Sequence, residues 1–307
     1  MILTVCLNPT FQNTMLFDSF TLGEVNRCIT HFLDASGKGM NTARILSQLG
    51  EDASLLTHLG GVRKEEMLSL CKKDRVEILH ADSESEIRTC TTIISQGQCT
   101  ELVEEPFAVA PSTELKIRQL YSQALSRAEA VIICGTRAPG YSENLYSDFT
   151  FEAKQQGKFV LLDVKGHDLL SSLPFRPDVI KPNLSEFMKT FFDEAIGEQE
   201  ATEECKAKVI AKLKSLHTLY GCSIVLSRGK ADTWLYDGSF YTCPVIPGQV
   251  VNTIGCGDTL SAVLTSRLQK GQTLQQAINE ATRYATKNAE NIHPGNISSE
   301  PIQPISY

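Results

Sequence analysis

Short apolar runs alternate with longer stretches of helical periodicity along most of the chain. That is the pattern of a parallel sheet whose strands are joined by helices. ILTVCL (2–7) is too short for a helix and rich in β-branched residues, so it predicts a buried strand. MNTARILSQLG (40–50) places Met40, Ala43, Ile45, Leu46 and Leu49 near one stripe and stops at Gly50, which predicts a helix. Strands follow at ASLLTHLG (53–60) and RVEILH (75–80), and a helix at 113–127 leads into AVIIC (130–134). Another helix at 142–156 leads into KFVLLDV (158–164), followed by the short apolar DVIKPN (178–183). A long helix near 200–219 precedes SIVLS (223–227), and WLYDGSFYTC (234–243) reads as a hairpin turning at Asp237-Gly238. Two helices, about 257–270 and 274–290, close the pattern.

Two stretches break this alternation. Residues 10–34 alternate apolar and polar positions without a helix, and RTCTTIISQGQCTELVE (88–104) reads as a hairpin around Gln96-Gly97. Inserted strands of this kind predict a small sheet covering one edge of the main domain. No internal repeat, low-complexity tract or long linker interrupts the chain, so one domain over 1–307 is expected, with its lid at about 10–34 and 88–106.

Composition narrows the function. With 307 residues, 42% hydrophobic and 21% charged, the chain resembles an ordinary soluble enzyme. Its net charge of −7 leaves no basic excess for nucleic-acid phosphates, and no apolar run approaches the ~18 residues of a membrane span. Ten scattered cysteines without CxxC spacing suggest neither a zinc ribbon nor a redox pair. Together with an N-terminus unlike a signal peptide, they lead to an expectation of a reducing cytoplasm, where the sequons at 183–185 and 296–298 are coincidental. No GxxxxGK[ST], HExxH or GxSxG occurs.

The informative stretch is NTIGCGD (252–258), placed directly before an apolar-periodic run. Two glycines there permit a positive φ and leave N–H groups unpaired at a helix start, which is a site for negative charge. A carboxylate at Asp258 then sits beside a held anion, suited to take a proton from a hydroxyl while backbone amides stabilise a migrating phosphoryl group. A packed helix start with an exposed capping Asp is the simpler reading of the same tetrapeptide.

VVNTIGCGDTLSAVLTSRL closely resembles the second signature of the PfkB group of carbohydrate kinases, within the ribokinase-like superfamily, with Cys256 in place of the usual Ala. ASGKGMNTARILSQLG (35–50) resembles that family's first signature, with Ser36 in place of the first Gly. IKPNLSE (180–186), LSRGKADT (226–233), LLDVKG (161–166) and CGTRAPG (134–140) resemble further family segments in the same order. The resemblance runs from about residue 2 to 290 and implies a ribokinase-like three-layer α/β sandwich, with a mainly parallel central sheet and a small β lid.

It also implies roles. Asp258 would be the base, with the Gly255, Cys256 and Gly257 N–H groups around the transferring phosphoryl. Gly37, Lys38, Gly39 and Asn41 would hold the sugar. Lys181, Asn183, Ser227 and Gly229 would lie along ATP, and Asn183 and Glu186 would organise Mg²⁺ through waters. Asn183 with Glu186 also reads as a capping box, and the two readings are compatible. Asp163 would face the site from a strand end, and Asn288 would lie near the nucleotide base.

VCLNPTFQ (5–12) and TLGEVNR (21–27) resemble phrases of the branch that acts on phosphofructose and tagatose 6-phosphate. This implies a hexose phosphate as substrate, with Arg27 and Arg88 on its phosphate. Three departures bear on specificity: Gln12 replaces an Asp, Val103 an Asn, and Thr136-Arg137-Ala138 alters a loop, where Arg137 adds charge near the substrate phosphate. A kinase of an unphosphorylated sugar or polyol, and a non-catalytic ligand binder on the same scaffold, stay open beside it. A homodimer through the lid is expected.

Overall fold

The computed structural model describes residues 1–298; residues 299–307 of the expected domain lie outside them. The first half contains β1 (Ile2–Cys6), β2 (Thr10–Phe17), β3 (Thr30–Ser36), α1 (Lys38–Gln48), β4 (Ala53–Leu59), α2 (Lys64–Cys71) and β5 (Glu77–Asp82). There follow β6 (Arg88–Ser95), β7 (Gln98–Leu102), α3 (Pro111–Leu125), β8 (Ala130–Cys134), α4 (Leu145–Gln155) and β9 (Phe159–Asp163). The second half adds α5 (Gly166–Ser172), β10 (Val179–Ile180), α6 (Leu184–Phe192), α7 (Glu203–Tyr220) and β11 (Ser223–Arg228). It ends with β12 (Ala231–Tyr236), β13 (Phe240–Cys243), α8 (Cys256–Gln269) and α9 (Leu274–Ala289).

Nine strands form one sheet in the order β13-β12-β11-β10-β9-β8-β1-β4-β5. It is parallel from β5 to β11, and the β12–β13 hairpin adds an antiparallel edge. Successive side chains of a strand enter opposite layers, as a sheet covered on both faces requires. Val131 and Ile133 of β8 pack with Tyr121, Phe149 and Phe187 from α3, α4 and α6. Ala130 and Ile132 pack instead with Ile45, Val263 and Ile278 from α1, α8 and α9. The sandwich therefore has three layers, as expected.

The interrupted stretches form a second sheet, β3-β2-β6-β7. Its β6–β7 turn has positive φ at Gln96 (50°) and Gly97 (72°), the pair of left-handed residues that a tight two-residue hairpin needs. The inserted strands expected within 10–34 are β2 and β3, which pair antiparallel, while residues 18–29 leave the sheet between them. At 178–183 only Val179 and Ile180 are strand; Pro182 has no N–H to continue the ladder. Helices α2 and α5, which the apolar pattern did not predict, are short and bury few residues.

Candidate active site

A cavity of about 850 Å³ opens between the C-terminal ends of the central strands and the small sheet. Its floor is the start of α8. Gly255, the N-cap, has φ 87°, and a Cβ there would lie 2.6 Å from the Gly295 backbone nitrogen, so only glycine fits. The Cys256 N–H donates weakly to the Thr253 carbonyl at 3.3 Å, whereas the Gly255 and Gly257 N–H groups have no partner among the described residues. Two donors and the positive end of a 14-residue helix thus face the cavity.

Asp258 lies in the same wall, 6% exposed, and accepts a hydrogen bond from the Asn41 side-chain nitrogen at 2.8 Å. Burial pushes its carboxyl up to about 6, against the pull of Lys38 and with the repulsion of Asp163. Asp163, at the end of β9, behaves oppositely. Burial opposes its charge too, but Lys181 at 2.9 Å and Lys38 at 3.1 Å overcome that and hold it at about 2. Ser261, one helical turn beyond Gly257, donates at 2.7 Å to Asp163 Oδ2, the oxygen that also meets Lys181, while Lys38 meets Oδ1. Lys38 also approaches Glu186 at 3.7 Å, and its ammonium is held above its ordinary range by Asp163, Glu186 and Asp258 despite burial.

The capping box at α6 is present in full: Asn183 accepts from the Glu186 N–H at 2.7 Å, and Glu186 accepts from the Asn183 N–H at 3.1 Å. The Asn183 amide nitrogen donates to Glu198 at 2.7 Å. Burial and the neighbouring Glu186 raise the Glu198 carboxyl. Ser227 and Gly229 line this end of the cavity, where the chain around Glu198 and Gln199 approaches Gly229. At the other end, Gln12 donates to Thr92 at 2.8 Å, and Gln12, Arg88 and Val103 face the cavity from the small sheet side. Arg88 gives one N–H to the Glu104 carbonyl, and its Nε is buried without a partner among the described residues.

Four expected residues lie outside the cavity wall, and a fifth, Lys38, lines a different end of it. Arg137 does not face the cavity; Asp168 at 2.7 Å and the carbonyls of Tyr141, Ser142 and Glu143 hold its guanidinium. Gly39 is not in the cavity wall; it is buried against β1, where a Cβ would lie 2.7 Å from the Val5 carbonyl, so helix packing requires glycine there. Asn288 is fully buried and braces the Gly255 loop: it donates to the Ile254 carbonyl and accepts from the Gly295 N–H, both at 2.8 Å. Arg27 lies on the irregular segment between β2 and β3, outside the cavity wall. Lys38 faces the carboxylates at the α8 end, not the small sheet end. Two residues escaped the sequence reading. Ser261 could have been found from its i, i+4 spacing to Gly257, whereas Glu198 carries no local signal.

A buried near-neutral carboxyl beside free amide donors, two lysines and a cleft on an α/β sheet define a phosphotransferase with an alcohol group as acceptor. Residues 8–301 match the profile of the pfkB family carbohydrate kinase, and the chain belongs to that family. A tagatose-6-phosphate kinase of Staphylococcus epidermidis RP62A is 28% identical over 311 residues, covering 99% of this chain and 97% of that one. Among solved structures, a possible 1-phosphofructokinase of Thermotoga maritima superposes with a TM-score of 0.84 at 19% identity, covering 95% of this chain and 92% of that one. Phosphofructokinase-2 of Escherichia coli in complex with substrates and products gives 0.82 at 19% identity, covering 94% and 92%. As a carbohydrate kinase, the protein uses ATP as phosphoryl donor.

Proposed function

We propose that the protein transfers the γ-phosphoryl group of ATP to a hydroxyl of a hexose phosphate. The observation that carries this is that one cavity joins Asp258 and the α8 amides to Arg88, whose buried Nε has no partner among the described residues. A phosphate on the sugar supplies the acceptor that this N–H needs. The tagatose-6-phosphate kinase relative supports the same substrate class.

In this reading Asp258 accepts the proton of the attacking hydroxyl, and Asn41 keeps the carboxylate aimed. The Gly255 and Gly257 N–H groups meet the phosphoryl oxygens, and Lys38 and Lys181 offset the charge that gathers there. The donor set Asn183, Glu186 and Glu198 fits Mg²⁺: these are hard oxygen ligands, and burial together with the neighbouring Glu186 raises the Glu198 carboxyl, a penalty that a bound cation relieves. When bound there, directly or through water, the ion would neutralise nucleotide phosphate charge.

The whole chain acts as one kinase domain, with the small sheet as a lid that excludes water during transfer. Phe20, Leu22, Val25, Ile29, Leu102, Val103 and Phe107 are exposed on or beside that sheet. Such an apolar concentration supports pairing of two copies through it. The described cysteines are all free thiols, which supports a cytoplasmic setting, and among the described residues no helix is long and apolar enough to cross a membrane.

The test is ADP release with MgATP across fructose 1-phosphate, fructose 6-phosphate, tagatose 6-phosphate and the free sugars. Turnover with a sugar phosphate, lost in Asp258→Asn, supports the proposal. Turnover only with free sugars would assign Gln12 and Val103 to a different acceptor. ATP binding without turnover would leave a binding protein.

A further inference from the structure

One buried cation has no part in the chemistry above. Arg44, on α1, is 6% exposed and does not reach the cavity. Its Nε donates to Asp74 at 2.8 Å and its Nη2 to the Ala35 carbonyl at 2.5 Å. Its Nη1 donates to two acceptors, Asn41 Oδ1 at 3.2 Å and the Pro294 carbonyl at 2.9 Å.

The contact with Asn41 decides an orientation. A guanidinium only donates, so the Asn41 atom that meets it must be the amide oxygen. Ser36 Oγ donates to that same oxygen at 3.0 Å. With Oδ1 claimed from one side, Nδ2 is turned toward Asp258 Oδ2 at 2.8 Å. Rotated by half a turn, the amide would set its nitrogen against the Arg44 donor and its oxygen against a carboxylate. Both contacts would then be repulsive.

The contact with Pro294 reaches the other half of the site. The next residue, Gly295, donates to Asn288 at 2.8 Å, and its nitrogen lies 2.6 Å from where a Cβ on Gly255 would be. Arg44 is therefore bonded on one side to the residue that holds Asp258. On the other side it is bonded to the turn that backs the Gly255 loop.

We infer that Arg44 is a positioning residue for phosphoryl transfer, fixing the Asn41 amide so that it donates to the Asp258 carboxylate. The inference rests on the reading of Asp258 as the base. Its direct effect, a hydrogen bond that favours the ionised carboxylate, exists whether or not the enzyme turns over.

The groups facing Asp258 are Lys38 and Asn41 from α1, Asp163 from β9, Lys181 after β10, and the Cys134 and Cys256 thiols. Behind Arg44 lie Asp74, Asp34 and Cys71, and His293 and Lys73 bond to Asp34. Of these, only Asn41 is touched directly by Arg44 among the groups that face Asp258.

The experiment follows the Asp258 carboxyl by ¹³C NMR against pH, in protein labelled at aspartate side-chain carboxyl carbons, with Asp258→Asn giving the assignment. Two variants are compared with the parent. Arg44→Lys keeps a partner for Asp74, and Arg44→Met with Asp74→Leu removes the buried pair together so that no charge is orphaned. In both, the Asp258 midpoint is expected to rise by about one pH unit, and the acid limb of kcat/KM to rise with it. At saturating substrates kcat falls about tenfold, with the KM for ATP unchanged.

In an Asn41→Ala background the same Arg44 changes should move the midpoint no further. An unmoved midpoint in a folded Arg44 variant overturns the inference, as does a shift that persists without Asn41. If only Arg44→Lys folds, its midpoint and its Asn41→Ala partner decide alone. A parent protein that titrates as described but phosphorylates no sugar would sink the functional reading and leave this test intact.

Discussion

Asp163 and Asp258 share one buried cavity wall and titrate in opposite directions, the first held at about 2 and the second raised to about 6. Two ammonium groups and a hydroxyl bond Asp163 directly, whereas burial dominates at Asp258, which has one side-chain amide, the more distant pull of Lys38 and the repulsion of Asp163. A permanent anion thus orders the lysines, and a second carboxyl is left poised to take up a proton. Such a division of labour follows from environment alone.

If the proposed role holds, Asp258→Asn should lower kcat by about a thousandfold or more while ATP binding persists, since it removes the proposed proton acceptor and leaves the amide donors in place. The same change should stabilise the fold at neutral pH. A carboxyl whose folded pKa is raised favours folding only while protonated, and that contribution disappears as pH rises through about 6. The gain at pH 7 is on the order of 1–3 kcal/mol. Steady-state kinetics and thermal denaturation at pH 7 check both halves.

With Asp258 as the proposed base, the pH profile of kcat/KM should have an acid limb near 6, falling about tenfold per pH unit below it, because only the ionised carboxylate can accept a proton. A limb near 4, the ordinary carboxylate range, would mean that some other group sets the profile. Substrate-phosphate ionisation is separated by repeating the profile with two acceptors.

Two glycines only two residues apart should respond differently. Gly255→Ala meets both a positive φ and the Gly295 backbone at 2.6 Å, and should cost about 2–4 kcal/mol of stability. Gly257→Ala has no such clash, its nearest atom being Lys181 Nζ at 3.8 Å, and it should fold as well as the parent. Its new methyl stands in the cavity wall, so activity should still fall. Melting temperatures and kcat together distinguish the pair.

Arg88→Ala should raise the KM for a phosphorylated sugar by about tenfold or more and leave that for ATP unchanged. Arg137→Ala should do the reverse in kind, lowering stability by roughly 1–3 kcal/mol through loss of its bond to Asp168, with KM for the sugar near that of the parent. Kinetics with both substrates varied would show the split.

Cys256→Ala should leave kcat within about twofold, because burial pushes its thiol up to about 11 and its position calls for a small residue, not a nucleophile. Loss of activity on this change would assign the sulfur a direct part.

The layers of this fold were legible because burial on both faces of a sheet leaves continuous apolar runs, as at AVIIC, and because NTIGCGD needs glycine for a backbone reason that survives any tertiary context. Charged residues were less legible. The sequence shows that Arg137 is positive and near a site loop, but not that Asp168, 31 residues later, holds it from the other side. Gly39 and Asn288 sit in the right segments, yet one packs on β1 and the other backs a loop. Glu198 reaches the cavity from an irregular segment with no periodicity to announce it. Arg44 carries no signal of its own, since two of its acceptors, Asp74 and the Pro294 carbonyl, lie 30 and 250 residues away.

Ser36 is the last residue of β3 and Lys38 the first of α1, with only Gly37 between them at φ 119°. A Cβ at Gly37 would lie 2.8 Å from Cys6 Sγ, so the joint is pinned against the central sheet. A joint of this kind has no slack: it is a fulcrum, with the small sheet as the long arm and the Lys38 ammonium at the tip of the short one. The place of the Lys38 charge between two carboxylates is thus tied to the seating of the small sheet on the central one.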